Sequence, residues 1–194
     1  ARKYRPQSFD DLMGQEIMVQ TLKNAFKIDR IAHAYMLTGV RGIGKTTTAR
    51  LIARALNYKT DTVDQPNIEM LEMGQHCSEI MESRHIDVIE MDAASRTGIA
   101  DIREIIDSIN YSPASARYKI YIIDEVHMLS KAAFNGLLKT LEEPPAHVKF
   151  IFATTEVQKV PLTILSRCQR FDLKRFDNEL IKSLWWGPAP AFSV

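Results

Sequence analysis

The sequence predicts an α/β protein with a mostly parallel, five-stranded sheet flanked by helices. Five apolar, β-rich runs alternate with helical stretches along 194 residues, and this alternation is typical of a parallel sheet. A glycine-rich loop follows the first run, and a later run ends in two adjacent acids, Asp124 and Glu125. At 45% hydrophobic residues, the chain can bury one core of this kind.

The predicted elements follow from the spacing of the apolar residues. The strands are the short apolar runs, at 34–37, 85–92, 118–125, 148–155 and 169–174. The helices have a 3.6-residue period and lie at 16–27, 47–56, 99–109 and 131–142. Ile17, Leu22 and Phe26 are among the residues of the first helix expected to face the core. The last helix stops before Pro144 and Pro145.

Residues 57–84 contain no clear strand, so we interpret them as an insertion with a helix near 68–81. Apolar side chains in this helix are expected to pack the insertion against the core rather than to bind a cofactor. They are Met70, Leu71, Met73, Ile80 and Met81.

The loop after the first strand carries the motif G-x-x-x-x-G-K-[ST], the P-loop of nucleotide-binding proteins. Its residues are Gly39, Val40, Arg41, Gly42, Ile43, Gly44, Lys45 and Thr46, and Thr47 continues into the next helix. Glycines let the backbone curl so that N–H groups point at phosphate oxygens, and the helix adds its positive dipole end. Lys45 supplies a charge and Thr46 a hydroxyl for Mg²⁺. The strand–loop–helix context disfavours a chance glycine turn.

Two carboxylates end the strand at 118–125, which predicts the partner of the P-loop. Asp124 is placed to hold Mg²⁺ through its water shell. Glu125 is placed to polarise the water that attacks the γ-phosphate. An isolated Asp-Glu pair is more often a solvated turn, but the preceding strand and the upstream P-loop favour the catalytic interpretation.

Composition limits the other possibilities. A net charge of +1 gives no global basic field, so any nucleic-acid contact must come from a local patch or from several copies. Cys77 and Cys168 form no C-x-x-C pair and fit a reducing compartment. No apolar run of about 18 residues and no signal-peptide pattern is present, so we expect a cytoplasmic location and no membrane partner.

Beyond the two motifs, the chain resembles the gamma/tau family of bacterial DNA polymerase III, whose AAA+ core is the ATPase of the sliding-clamp loader. The resemblance covers about residues 1–177. It rests on Arg2 to Pro6 with Phe9 and Gly14-Gln15, His33 to Tyr35, Asp92 to Thr97, Asp124 through Pro145, and Ser166 to Cys168. It implies an ATPase that uses ATP and Mg²⁺, has no polymerase site, and works with sister subunits, a sliding clamp and primer-template DNA.

The resemblance also implies roles for residues outside the motifs. Thr155 would be the sensor-1 group near the γ-phosphate, and Arg167 the arginine finger that reaches the ATP of a neighbouring subunit. Tyr4 and Gln15 would border the adenine, although this segment could equally be a packing arm. Four polar or basic residues would grip DNA phosphates, although each alone is more often simply solvated. They are Arg96, Thr97, Arg103 and Lys139.

The chain departs from the family in two places. Family members bind zinc in the insertion through four cysteines, whereas the four matching positions here hold Tyr58, Leu71, Gly74 and Cys77, so we expect no zinc. The family also continues into a helical lid and a collar. We therefore expect a nucleotide-binding core at 1–177, and only the truncated start of a lid with a loose tail at 178–194.

Two alternatives stay open. The chain could be a non-hydrolysing binding or assembly module, since its motifs are intact while its lid is missing. It could also be another DNA-remodelling AAA+ motor, such as a Holliday-junction branch-migration motor. The segment at 92–97 disfavours the second alternative, and turnover that depends on Arg167 would disfavour the first.

Overall fold

A computed structural model of the chain describes residues 6–12, 14–96 and 99–175. Tyr4, Thr97 and the predicted tail at 178–194 lie outside the described residues. The described part contains one sheet of five parallel strands in the order β2-β3-β4-β1-β5. The strands are β1 (Ala34–Thr38), β2 (Val88–Asp92), β3 (Lys119–Asp124), β4 (Val148–Thr154) and β5 (Gln169–Asp172). The predicted α/β class and strand number are confirmed.

Six α-helices lie in the described residues, and those predicted at 16–27, 99–109 and 131–142 have the predicted bounds. They are α1 (Glu16–Lys27), α2 (Lys45–Leu56), α3 (Cys77–Met81), α4 (Ile99–Ile109), α5 (Lys131–Glu142) and α6 (Leu162–Leu165). Two 3₁₀ turns follow β3 and β4, at Val126–Met128 and Val157–Lys159. Across the described segments, no helix is both long and apolar enough to cross a membrane.

The sheet is covered by helices on both faces, so the central strands β1 and β4 are buried throughout and β3 is buried except at its two end residues. One face packs against α1 and α2, with Leu37 of β1 and Ile122 of β3 in the shared core. The other face packs against α4 and α5, with Met36 and Ile123 from the same two strands. Alternate residues of one strand therefore serve two cores, and both cores fix the position of the loops at the strand ends.

The predicted core face of α1 is wrong at one residue. Ile17 is 77% exposed, whereas its neighbour Met18 and Leu22 are buried. Met18 and Leu22 are four positions apart and so lie on one face of the helix, while Ile17 is turned about 100° away from Met18.

The predicted helix near 68–81 is also wrong, because only Cys77–Met81 is helical. Leu71 is 91% exposed and Met73 is 71% exposed, so neither packs the insertion as expected, whereas Ile80 is buried. Met70 and Met81 also pack against the core, as predicted, and backbone hydrogen bonds to other segments hold the insertion as well. Among them, the Asn67 N–H donates to the Ala55 carbonyl at 2.9 Å.

Three of the four positions that match zinc ligands in the resembled family lie together. A Cβ atom at Gly74 would lie 3.0 Å from the Tyr58 ring and 3.1 Å from the Cys77 sulfur, whereas Leu71 is exposed. The cluster offers a phenol ring, a glycine and a single thiol. Among the described residues, no group of three or more His, Cys, Asp or Glu side chains is placed to hold a metal ion. The expectation of no zinc remains a prediction.

Asp87 fixes the start of β2 to the connection between α4 and β3. Its carboxylate, 2% exposed, accepts the backbone N–H groups of Ala114, Ser115 and Ala116 at 2.7 to 2.8 Å. Burial alone would raise the pKa of Asp87, but these donors outweigh it and hold the pKa below its usual value. Asp87 is therefore a buried charge that holds the start of β2 against the segment that precedes β3.

We expect Asp87→Ala to lower the free energy of unfolding by about 3 kcal/mol, because three backbone N–H groups lose a charged acceptor. Asp87→Asn keeps one acceptor oxygen and is expected to lose about half as much. Since the folded-state pKa is depressed, the advantage of wild type over Asp87→Asn should be constant above about pH 5 and shrink as the pH falls below about 4. Urea unfolding at several pH values measures this, and a difference that grows at low pH would contradict it.

Candidate nucleotide-binding site

The two sequence motifs meet at the carboxyl edge of the sheet, around a cavity of about 390 Å³. The P-loop leaves β1 and wraps the start of α2, where Gly44 adopts a φ of 101° that side chains rarely tolerate. Parallel strands place their carboxyl ends at one edge, so the loop after β1 faces the acids after β3. The cavity is lined by Arg41, Gly42, Gly44, Lys45, Thr46, Thr47, Asp92, Asp124 and Glu125.

Lys45 lies across the P-loop. Its side chain is largely buried, with the residue 5% exposed, and its ammonium donates to the carbonyls of Gly39 at 3.0 Å and Val40 at 3.2 Å. The ammonium therefore lies inside the P-loop, next to the N-terminus of α2. Both the ammonium and the helix N-terminus favour a bound anion at this position.

Thr46 and Asp124 join the two motifs directly. The Thr46 hydroxyl donates to Oδ2 of Asp124 at 2.5 Å, and Oδ1 of Asp124 accepts the Glu125 N–H at 2.9 Å. A hydroxyl beside a carboxylate is an oxygen donor set of the kind that Mg²⁺ prefers. These two residues therefore fit the predicted metal ligands.

Glu125 is held at the ends of two strands. Its backbone is left-handed, with φ 46°, a conformation that is uncommon for residues other than glycine and that clusters at functional sites. Oε2 of its carboxylate accepts the Thr155 hydroxyl at 3.0 Å and the Thr155 N–H at 3.3 Å. The structure thus brings together Glu125 and Thr155, which the sequence placed 30 positions apart.

Asp92 lines the cavity, although the sequence did not predict it as part of the site. It ends β2 and lies in register with Asp124 of β3. The available signal was its position, because a carboxylate at the carboxyl end of a neighbouring parallel strand must meet the same edge.

Arg167 and Gln15 do not line this cavity. Arg167 donates to the Glu142 carboxylate and to the Thr163 carbonyl, both at 2.7 Å. Gln15 is buried, and its amide exchanges hydrogen bonds with the backbone of Lys174 at 2.9 and 3.3 Å. These contacts tie α1 to the segment after β5, which supports the packing-arm interpretation of this region. The adenine contact of Gln15 remains a prediction.

Three predicted DNA contacts lie on the surface outside the cavity. Arg96, Arg103 and Lys139 are all exposed. Arg103 belongs to α4 and Lys139 to α5, two helices that approach closely at Gly136, where a Cβ atom would lie 3.3 Å from the Ile106 side chain. Their role in DNA binding stays a prediction.

The sheet order, the P-loop after β1 and the acids after β3 define a P-loop NTPase of the AAA+ class. Solved structures with this fold include the RuvB Holliday junction branch migration motor of Thermotoga maritima, at 20% identity and a TM-score of 0.61, covering 94% of this chain and 53% of that chain. They also include a DNA polymerase III gamma subunit-related protein of the same organism, at 24% identity and a TM-score of 0.55, covering 86% and 51%. Both show the fold alone.

Sequence comparison gives the family. The chain belongs to the family described as DNA polymerase III, delta subunit, whose profile matches residues 14–177. Curated relatives include DNA polymerase III subunit tau of Salmonella typhimurium, 53% identical over 94% of this chain and 28% of that protein. Subunit gamma of Buchnera aphidicola subsp. Acyrthosiphon pisum is 51% identical over 93% of this chain and 49% of that protein. The resemblance to the gamma/tau subunits is confirmed, and the chain spans between about a quarter and a half of these relatives.

We expect Gly39→Ala to lower the free energy of unfolding by about 2–3 kcal/mol, because the residue has a φ of 148° and its new Cβ would lie 3.1 Å from the Leu173 carbonyl oxygen. Gly14→Ala is the matched control. Gly14 also has a positive φ, 74°, but an added Cβ meets nothing within 4 Å, so about 1 kcal/mol is expected. Urea unfolding of both variants measures the difference, and equal losses would contradict it.

Proposed function

We propose that the chain is an ATP-binding and ATP-hydrolysing subunit of the clamp loader of a bacterial DNA polymerase III, which loads a sliding clamp onto primer-template DNA. The observation that carries the proposal is the contact between Thr46 and Asp124, because it sets the candidate metal ligands of both motifs side by side next to Glu125. The roughly 50% identity to tau and gamma subunits supports the assignment to this complex. Such a subunit works in the cytoplasm.

The proposed chemistry uses groups already in place. A triphosphate entering the P-loop would take the Lys45 ammonium from the Gly39 and Val40 carbonyls, and the loop N–H groups would bind its oxygens. Bound Mg²⁺, held by Thr46 and Asp124, would offset charge on the phosphates. Glu125 would polarise the attacking water, and Thr155 would hold the Glu125 carboxylate in position.

The proposed partners act on other surfaces. As an arginine finger, Arg167 would leave Glu142 and reach the nucleotide of a sister subunit, so that hydrolysis needs assembly. DNA would be held through its phosphates by Arg96, Arg103 and Lys139, repeated in several subunits. Repetition is needed because one copy has a net charge of only +1.

A non-hydrolysing binding or assembly module is the second candidate. The observation that favours it is the ion pair between Arg167 and Glu142 at 2.7 Å, with the Arg167 side chain 32% exposed. In this chain the proposed arginine finger is bound to Glu142 and is not directed at a nucleotide. A chain that keeps this pair would bind ATP without hydrolysing it.

We expect Lys45→Ala to abolish saturable binding of MgATP, because the phosphates lose their principal cation and the loop its internal donor. Lys27→Ala is the control, since Lys27 is an exposed lysine in the last turn of α1. Calorimetry with MgATP, together with thermal unfolding with and without it, measures the effect. A folded wild type that binds no MgATP would contradict the proposed function.

When the chain is assembled with full-length sister subunits, we expect Arg167→Ala to reduce DNA-stimulated ATP hydrolysis about a thousandfold at the one sister site that Arg167 reaches, because a finger acts on charge in the transition state. Binding of MgATP to the chain itself should be unchanged. Glu142→Gln should retain full turnover in the same assembly, since it removes only the resting partner of Arg167. Turnover at that sister site that survives Arg167→Ala would exclude the finger role, and binding without any turnover would favour the second candidate.

A further inference from the structure

His127 lies directly behind the candidate catalytic carboxylate. It belongs to the 3₁₀ turn Val126–Met128, which follows Glu125, and its side chain is 5% exposed. Nδ1 of its ring is 2.9 Å from the Thr154 hydroxyl oxygen and 3.4 Å from Oε2 of Glu125. Nε2 is 3.4 Å from a carboxylate oxygen of Glu156.

The imidazole thereby connects the ends of β3 and β4. The turn carrying His127 continues β3, while Thr154 ends β4 and Glu156 follows it. The Thr154 hydroxyl oxygen also accepts the Glu156 N–H at 3.0 Å, which fixes its position. The N–H faces Glu125 when Nδ1 carries the proton and Glu156 when Nε2 carries it, so holding Glu125 requires a proton on Nδ1. The ring thus lies between two acids, Glu125 and Glu156, that follow different strands.

The two carboxylate oxygens of Glu125 differ in their contacts. Among the described residues, Thr155 and His127 both approach Oε2, and no hydrogen bond or ion pair involves Oε1. The strained backbone of Glu125 sets only where its side chain starts, since three further torsions separate the backbone from the carboxylate. Anchoring one oxygen removes this freedom and leaves the other oxygen available to a water in the cavity that Glu125 lines.

We propose that His127 is a positioning residue for Glu125. Together with Thr155 it fixes Oε2 of the carboxylate, so that Oε1 is presented to the water that attacks the nucleotide. The inference rests on the hydrolytic role proposed above for Glu125. His127 contacts neither Thr46 nor Lys45, so its loss affects the direction of the carboxylate and not the binding of phosphate.

The kinetic test compares His127→Ala and His127→Asn with wild type, in the assembly used for Arg167. His127→Ala should lower the single-turnover rate of ATP hydrolysis by about 10- to 100-fold, as expected for a misplaced catalytic group, while the Kd for MgATP stays within twofold. His127→Asn, whose amide can donate near the Nδ1 position, should recover most of the rate. The control is His147→Ala, because His147 precedes β4 at the opposite edge and bonds the Ile109 carbonyl at 2.9 Å. An unchanged rate in His127→Ala would overturn the inference.

A second test needs no turnover. The ring nitrogens of His127, observed by ¹⁵N NMR of the labelled chain, should shift by several ppm in Glu125→Gln and stay unchanged in Glu79→Gln, which alters an exposed glutamate on α3. Unchanged His127 signals in folded Glu125→Gln would overturn the inference. If wild type failed to bind MgATP, the proposed function would fall, and this test would still decide whether His127 holds Glu125.

Discussion

The hydrogen bond from the Thr46 hydroxyl to the Asp124 carboxylate is the contact on which the candidate site depends. It joins the P-loop, which follows β1, to the end of β3, although β4 lies between these two strands. Two strand spacings separate β1 from β3 by about 10 Å, so the loop and the first turn of α2 must reach across β4. The contact therefore requires the observed strand order, and a one-residue slip of β3 would move Asp124 by about 3.3 Å and turn its side chain to the other face.

Burial of the sheet supplies the rigidity that this contact needs. β4 is buried along its whole length. Tyr121 of β3 stacks on Phe150 of β4 with ring centroids 5.5 Å apart, and Phe150 stacks on Phe152 of the same strand at 5.6 Å. A buried strand flanked by two cores resists sliding, because each shift would break contacts on both faces. The polar groups at its end, Thr154 and Thr155, are consequently fixed points against which the flexible Glu125 side chain can be held.

The sequence predicted correctly those elements whose conformation depends on a short stretch of residues alone. The helices α1, α4 and α5 had regular apolar periods. The P-loop and the Asp-Glu pair were found because each has a fixed spacing and a neighbouring strand. The sequence was uninformative for the insertion, where a methionine-rich stretch has a helix-like composition. Its conformation depends on distant partners, such as Arg117, which donates to the Tyr58 carbonyl at 3.2 Å and to the Asp64 carboxylate at 2.6 Å.

Asp92 and His127 were missed for a related reason. Both lie in segments that carry the family resemblance, but neither belongs to the P-loop or the Asp-Glu pair, and each acquires its place from the register of adjacent strands. Asp92 could have been found by aligning the carboxyl ends of predicted parallel strands, but His127 could not, because a single histidine in a turn carries no spacing signal. Ile17 shows the opposite error, because it is apolar but exposed. Neighbouring residues of a helix point about 100° apart, so an apolar residue one position from the buried face can lie in solvent.

The all-parallel sheet has a consequence for how this molecule folds. Helical crossovers join β2 to β3 and β3 to β4, whereas β1 pairs with β4 and β5, which follow much later in the chain. Thr46 and Asp124, which meet in the site, are 78 positions apart. Contacts of such long range are formed slowly, because the entropy of closing large loops is lost before the contacts repay it. The cavity edge is therefore completed only when β1, β3 and β4 are all in register. A nucleotide bound there would bind the fully folded state alone. The free energy of unfolding of the chain would therefore rise with the concentration of free nucleotide.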